Sequence, residues 1–167
     1  MVRFVTICLC GLLYACTGNS QVIKGTYAIK NLETGMYLRV KDANADNGTP
    51  LVSYSPVKWK CVTWDFQHVD GQTYQLKNLF TNKTFEPCAK ACNGSALEQQ
   101  PLSVDQVSQE YEFIPIQNNV YMIKLKGTDL YVTPSDRDGT VNSKIILSKY
   151  DNSTLQWWTL REQKPEI

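Results

Sequence analysis

The chain has 167 residues with 17 basic against 16 acidic side chains and no run of like charge, so neither nucleic acid nor an anionic membrane surface is an electrostatically favoured partner. A hydrophobic fraction of 43% supplies the core of one domain. After the first twenty residues no apolar stretch reaches bilayer length, so no transmembrane span is expected.

Residues 1–20 stand apart. Arg3 precedes an apolar run from Phe4 to Cys16, and the small polar group Thr17 to Ser20 follows. This is the layout of a secretory signal peptide, with cleavage after Gly18 or Ser20. Cleavage after Ala15 would leave Cys16 at the new terminus, as at a lipoprotein acylation site. Secretion is therefore the first expectation and a lipid anchor through Cys16 the alternative. Four N-x-Ser/Thr sequons, at Asn47, Asn82, Asn93 and Asn152, exceed the roughly one that chance supplies and point to a glycosylated export product. Beyond residue 20 the cysteines are Cys61, Cys88 and Cys92. Cys88 and Cys92 are spaced to close a small disulfide loop in an oxidising compartment, which leaves Cys61 free or paired elsewhere. His68 is the sole histidine, so no metal or cofactor is expected.

From Ile23 onward the chain repeats with a period of 47 residues. Tyr27, Tyr74 and Tyr121 open the three copies, followed in step by Ile29, Leu76 and Ile123. Trp64, Tyr111 and Trp158 close them, with Phe66, Phe113 and Leu160 two places on. Thr34, Thr81 and Thr128 keep the same register, while the turns at Asn47-Gly48-Thr49, Asn93-Gly94-Ser95 and Asp138-Gly139-Thr140 drift by a residue or two. Within the first copy, strands are predicted around Tyr27–Lys30, Tyr37–Val40, Leu51–Tyr54 and Trp64–Gln67, from short alternating apolar runs bounded by Gly, Asn, Asp and Pro. No segment shows a sustained helical period. Three copies then give an all-β domain of twelve strands, residues 21–162, with repeats at 23–69, 70–116 and 117–162 and a C-terminal tail at 163–167. One unit cannot bury its apolar face alone, and an open stack of three would leave free strand edges. Closure around a pseudo-threefold axis removes both problems, so the predicted architecture is a β-trefoil.

With the Gln-x-Trp element at Gln156-Trp157-Trp158, and its variants Val62-Thr63-Trp64 and Gln109-Glu110-Tyr111, the repeat resembles the ricin-B-type β-trefoil lectins across the whole span from Ile23 to about Glu162. In sugar-binding members of that family, each working unit supplies an acid after the second strand, a ring on the third, and an amide near the Gln-x-Trp. The ring faces the apolar C–H side of a sugar while the carboxylate and amide hold its hydroxyls. Carried over by the resemblance, the first unit places Arg39 at the acid position and Tyr54 at the ring position, with Asp42 and Asp46 near in sequence. The second unit places Glu86 at the acid position and Pro101 at the ring position. The third places Thr133 and Ser148 there, with Asp136, Asp138, Tyr150 and Asn152 close by. No unit holds the full set. Trp59, a loop ring without an aromatic counterpart in the other units, is a further contact candidate.

No nucleophile, phosphate loop or paired carboxylates has a recognisable catalytic setting, so the expected function is a secreted, non-enzymatic carbohydrate-binding domain with a glycan or glycoprotein ligand. The alternative is a protein-binding trefoil, such as a protease inhibitor, displaying the loops Ser53–Cys61 and Glu86–Ser95. Of the adjacent tryptophans, Trp158 belongs to the threefold core layer. Trp157 takes the alternate position, matched by the polar Thr63 and Glu110 in the other units, and is expected to point outward.

Overall fold

The computed structural model describes residues 21–166. The predicted signal peptide, the Cys16 anchor and the last residue of the tail lie outside the described residues. Twelve strands follow one another: β1 (Thr26–Asn31), β2 (Tyr37–Val40), β3 (Leu51–Tyr54), β4 (Thr63–Asp70), β5 (Thr73–Asn78), β6 (Thr84–Pro87), β7 (Leu97–Gln100), β8 (Tyr111–Gln117), β9 (Val120–Leu125), β10 (Leu130–Pro134), β11 (Ile145–Lys149) and β12 (Trp157–Glu162). Short 3-10 turns sit before β4, β8 and β12 at Lys60–Val62, Val107–Gln109 and Thr154–Gln156, and a fourth follows β2 at Lys41–Ala43. No α-helix occurs among the described residues.

The antiparallel pairings β1–β4, β4–β5, β5–β8, β8–β9, β9–β12 and β12–β1 close a six-stranded barrel. The remaining strands form three hairpins, β2–β3, β6–β7 and β10–β11, across one end of it. This is the β-trefoil. Closure leaves the barrel without free edges.

Alternation along the strands explains why these segments close as they do. In β8 the inward Tyr111 and Phe113 are buried while Glu112 and Ile114 are only partly covered, and β4 and β12 send in Trp64 and Phe66, Trp158 and Leu160. The threefold relation extends to register. Tyr27 faces Trp64, Tyr74 faces Tyr111, and Tyr121 faces Trp158. Each large ring also satisfies its polar atom in the same way. Trp64 Nε1 donates to the Leu38 carbonyl at 3.1 Å, the Tyr111 hydroxyl to Phe85 at 3.2 Å, and Trp158 Nε1 to Val132 at 2.9 Å. The three rings thus tie each hairpin to the barrel layer beneath it. Fully burying an apolar side chain of this kind contributes roughly 1.5–3 kcal/mol, so the layer is a large share of the core.

The hairpin cap is laced by a cyclic ring of backbone bonds. Gly48 N–H donates to Gln99 O and Gln99 N–H returns to Thr49 O, at 2.9 and 2.8 Å. Gly94 and Ser95 exchange the same pair with Leu147, both at 2.8 Å, and Asn142 and Ser143 exchange it with Ser53, at 2.8 and 2.9 Å. Each unit's turn is therefore gripped by the third strand of the next unit. This corrects the expected register of the third turn. Asp138-Gly139-Thr140 is a separate, earlier turn, in which the Asp136 carboxylate accepts from the backbone N–H groups of Asp138 and Thr140. The residue equivalent to Gly48 and Gly94 is Asn142, and all three have left-handed φ, 78°, 90° and 67°. Asparagine tolerates that conformation better than other non-glycine residues, so no glycine marks the spot.

The structure does not show the expected disulfide. Cys88 and Cys92 are both exposed free thiols, and Cys61 is a buried one. The turn that carries Cys92 is closed instead by Ser95, whose hydroxyl accepts from the Cys92 N–H at 2.9 Å and lies 3.1 Å from its sulfur.

Candidate functional site

At the rim, where each hairpin meets the 3-10 turn before the next barrel strand, three equivalent rows come together. Arg39, Glu86 and Thr133 lie on β2, β6 and β10. Tyr54, Pro101 and Ser148 stand at or within one residue of the ends of β3, β7 and β11, and Val62, Gln109 and Gln156 end the turns. The frame is the same in all three units, and the chemistry differs in each.

In the first unit the Arg39 guanidinium stacks on the Tyr54 ring, 3.9 Å from its centroid. Arg39 is only 7% exposed, and its Nε is buried without a hydrogen-bond partner. The stack covers one face of Tyr54, the ring expected to receive a ligand. Trp59 tilts against Tyr54 with centroids 6.0 Å apart, and it lines a wholly apolar groove of 240 Å³ with Ala43, Cys61 and Phe80. The loop is tied down from behind: the Thr63 hydroxyl is 2.8 Å from both the Trp59 carbonyl and the Gln163 side-chain oxygen, and Gln163 Nε2 donates to Val57 O at 2.8 Å. Val62 replaces the glutamine of the other units, so this site has no amide.

In the second unit the Glu86 carboxylate is held in place. Its Oε2 accepts from the Ser108 hydroxyl at 2.8 Å and from Gln109 Nε2 at 3.2 Å. Gln109 is itself buried and braced, donating to Pro101 O at 3.0 Å and accepting from Ser103 N–H at 2.9 Å. Glu86 is half-buried, and Oε1 has no partner among the described residues. Beneath it, burial pushes the Tyr111 hydroxyl well above its ordinary pKa of 10.0, and the Glu86 charge adds to the effect. The unit has an acid and an amide but no ring.

The third unit is closed by hydroxyls. Thr133 Oγ1 and Ser148 Oγ are 2.7 Å apart, and Gln156 Nε2 donates to Ser148 Oγ at 2.9 Å and to Lys149 O at 2.8 Å. Gln156 thus bonds both a side chain and the main chain of β11. Above it Tyr150 is 54% exposed, its ring 5.9 Å from Tyr131 and its hydroxyl donating to Asn152 Oδ1 at 2.7 Å.

The other expected site residues scatter. Asp42, with left-handed φ of 53°, and Asp46 are exposed and line a polar cleft of 380 Å³ with Lys41, Asn44 and Asn47. Asp136 and Asp138 serve their own loop, as described above. Trp157 is half-buried, opposite Met122 on β9. The four sequon asparagines, Asn47, Asn82, Asn93 and Asn152, are all exposed. The motif does not mark Ser108 as the residue that fixes Glu86, although it sits directly before Gln109, near the Gln-x-Trp position where the resemblance implies an amide. Nor does the motif mark Arg39 as taking the Tyr54 face.

The chain belongs to the ricin-type β-trefoil lectin domain-like family, whose model matches residues 17–100, half of the chain. No curated protein matches it in sequence. Among solved structures it is similar to the designed threefold-symmetric protein ThreeFoil, with a TM-score of 0.78 and 17% identity over 83% of this chain and 99% of that one. It is also similar to the Rhizoctonia solani agglutinin, with a TM-score of 0.77 and 15% identity over 86% and 99% of the two chains. A third likeness is to the Macrolepiota procera ricin B-like lectin in complex with lactose, with a TM-score of 0.70 and 18% identity over 87% and 100%. Identities this low establish the shared fold alone.

Proposed function

We propose that this protein is a secreted carbohydrate-binding domain without catalytic activity, with the second unit as its best-formed saccharide site. The observation that carries this reading is the Glu86–Ser108–Gln109 cluster, a carboxylate fixed at 2.8 and 3.2 Å by a hydroxyl and a braced amide while one oxygen stays unpartnered. A carboxylate held in this way accepts hydrogen bonds from sugar hydroxyls without first being ordered, and such charge-assisted bonds are about twice as strong as neutral ones. Family membership supports the same ligand class. Secretion is supported by the signal-like residues 1–20 and by the exposure of all four sequon asparagines. No helix of the described residues is long and apolar enough to cross a membrane. The protease-inhibitor alternative draws no specific support from the loop around Trp59.

The test is a glycan array followed by titration with simple galactosides and N-acetylated sugars, using wild type and Glu86→Gln. Binding that weakens about tenfold or more in the variant is expected, the loss of a hydrogen bond to a charged group. Silence across the array, or binding indifferent to Glu86, would sink the assignment.

A further inference from the structure

The first unit carries the opposite charge at the position where the second carries its acid. Arg39 is more than nine-tenths buried and makes neither an ion pair nor a side-chain hydrogen bond among the described residues. Among the described residues its side chain meets the Tyr54 face. A buried cation without a counter-charge is costly, and the cost is relieved when an anion reaches it. The guanidinium over Tyr54 keeps its fork of N–H donors without a hydrogen-bond partner among the described residues, and such a fork matches a carboxylate or sulfate two-pronged.

The surroundings agree in charge and shape. Lys41, Lys58 and Lys60 are exposed on the segments that frame the stack, and Lys83 bonds Ala45 O and Asn47 Oδ1 of the neighbouring loop, holding it in place. Trp59, tilted against Tyr54 with centroids 6.0 Å apart, opens onto an apolar groove of 240 Å³. A ligand for this site therefore needs an anionic substituent for Arg39 and an apolar face for Trp59.

From this geometry we infer that the first unit binds an acidic saccharide, a sugar ring bearing a carboxylate or a sulfate ester, with Arg39 taking the anion and Trp59 taking the ring. The inference rests on the carbohydrate-binding reading above and assigns a distinct ligand class to a distinct unit. Tyr54 then acts as the support of the cation rather than as the sugar platform.

The experiment compares matched pairs by calorimetric titration of the purified protein: lactose against sialyllactose for the carboxylate, and lactose against sulfolactose for the sulfate, with sodium sulfate as a competitor. The acidic member of at least one pair should bind about tenfold more tightly, the worth of one charge-assisted hydrogen bond or more. The acid-to-neutral ratio should fall to near one in Arg39→Met, keep an intermediate value in Arg39→Lys, and decline in Trp59→Ala, a rim variant that keeps the measurement available if Arg39→Met fails to fold. Neutral sugars binding as well as acidic ones in the wild type would overturn the inference and leave the carbohydrate reading standing. So would a ratio unmoved by Arg39→Met, or free sulfate competing as strongly as the sulfated sugar. A protein that binds no saccharide of either kind would overturn both.

Discussion

The Arg39 guanidinium lies 3.9 Å from the centre of the Tyr54 ring, and its buried Nε has no hydrogen-bond partner. Two opposed energies meet there. The cation–π contact is worth about 0.5–2 kcal/mol, and desolvating the charge offsets much of it. Arg39→Met, which keeps the volume and removes the charge, is expected to change unfolding stability by less than about 1 kcal/mol or to raise it. A urea titration decides the point: a loss beyond that range would mean Arg39 is held by contacts that outweigh its burial.

The ring layer makes a sharper claim. Tyr111→Phe removes the only hydroxyl donor to Phe85 O and leaves a buried carbonyl unpaired, so it should cost about 1–2 kcal/mol. Trp158→Phe loses the bond to Val132 O and opens a cavity as well, and should cost more. Equal midpoints for wild type and Tyr111→Phe would show that the bond contributes nothing.

The same tyrosine predicts the alkaline limit of the fold. Its pKa is raised above the ordinary 10.0, chiefly by burial. The neutral form is therefore favoured by folding. That contribution is complete below pH 10 and is lost as pH rises above it, because the tyrosinate forms freely only in the unfolded chain. Lys124 is raised too, first through its hydrogen bond to Glu112 at 2.8 Å, and acts in the same direction. Stability measured from about pH 9 to 11 should fall more steeply in wild type than in Tyr111→Phe, with Tyr111 absorbance changing only as the protein unfolds. A tyrosine titration complete in the folded state would contradict this.

Thiol chemistry separates the three cysteines. Cys88 and Cys92 should react with an aromatic disulfide reagent in the native protein, and Cys61, 4% exposed, only after denaturation. A purified protein with no fast thiols would mean that Cys88 and Cys92 are oxidised to each other.

At the cap, Gly94→Ala places a side chain at φ 90° and should destabilise by about 1 kcal/mol or more, whereas Asn142→Gly at φ 67° should be neutral or mildly stabilising. Matched thermal unfolding curves give the comparison, and the reverse order would refute the assigned equivalence of the two positions.

The fold was legible because its anchors are the residues that cannot vary independently. Trp64, Tyr111 and Trp158 occupy one layer, bond equivalent carbonyls and so recur at 47. The strands Tyr37–Val40 and Leu51–Tyr54 fall where alternation put them, and β1 and β4 extend beyond their predicted cores. The loops were less legible, because what they must satisfy is a backbone contact with another unit. Asn142 meets the demand that Gly48 and Gly94 meet, and Asp138-Gly139 only looks like the repeat. The site was legible as a row of positions but not as chemistry. That Arg39 would lie on Tyr54, or that Ser108 would hold Glu86, depends on side-chain conformations that spacing does not specify.

The ring of main-chain bonds through Gly48, Gly94 and Asn142 has a consequence for how such a protein diversifies. The lacing uses peptide groups, which every substitution short of proline leaves in place. Arg39, Glu86 and Thr133 can therefore drift apart in charge and size while the hairpins that present them stay clasped. Threefold equivalence of the frame then leaves three rims on one body, each free to change its chemistry without asking the others to change.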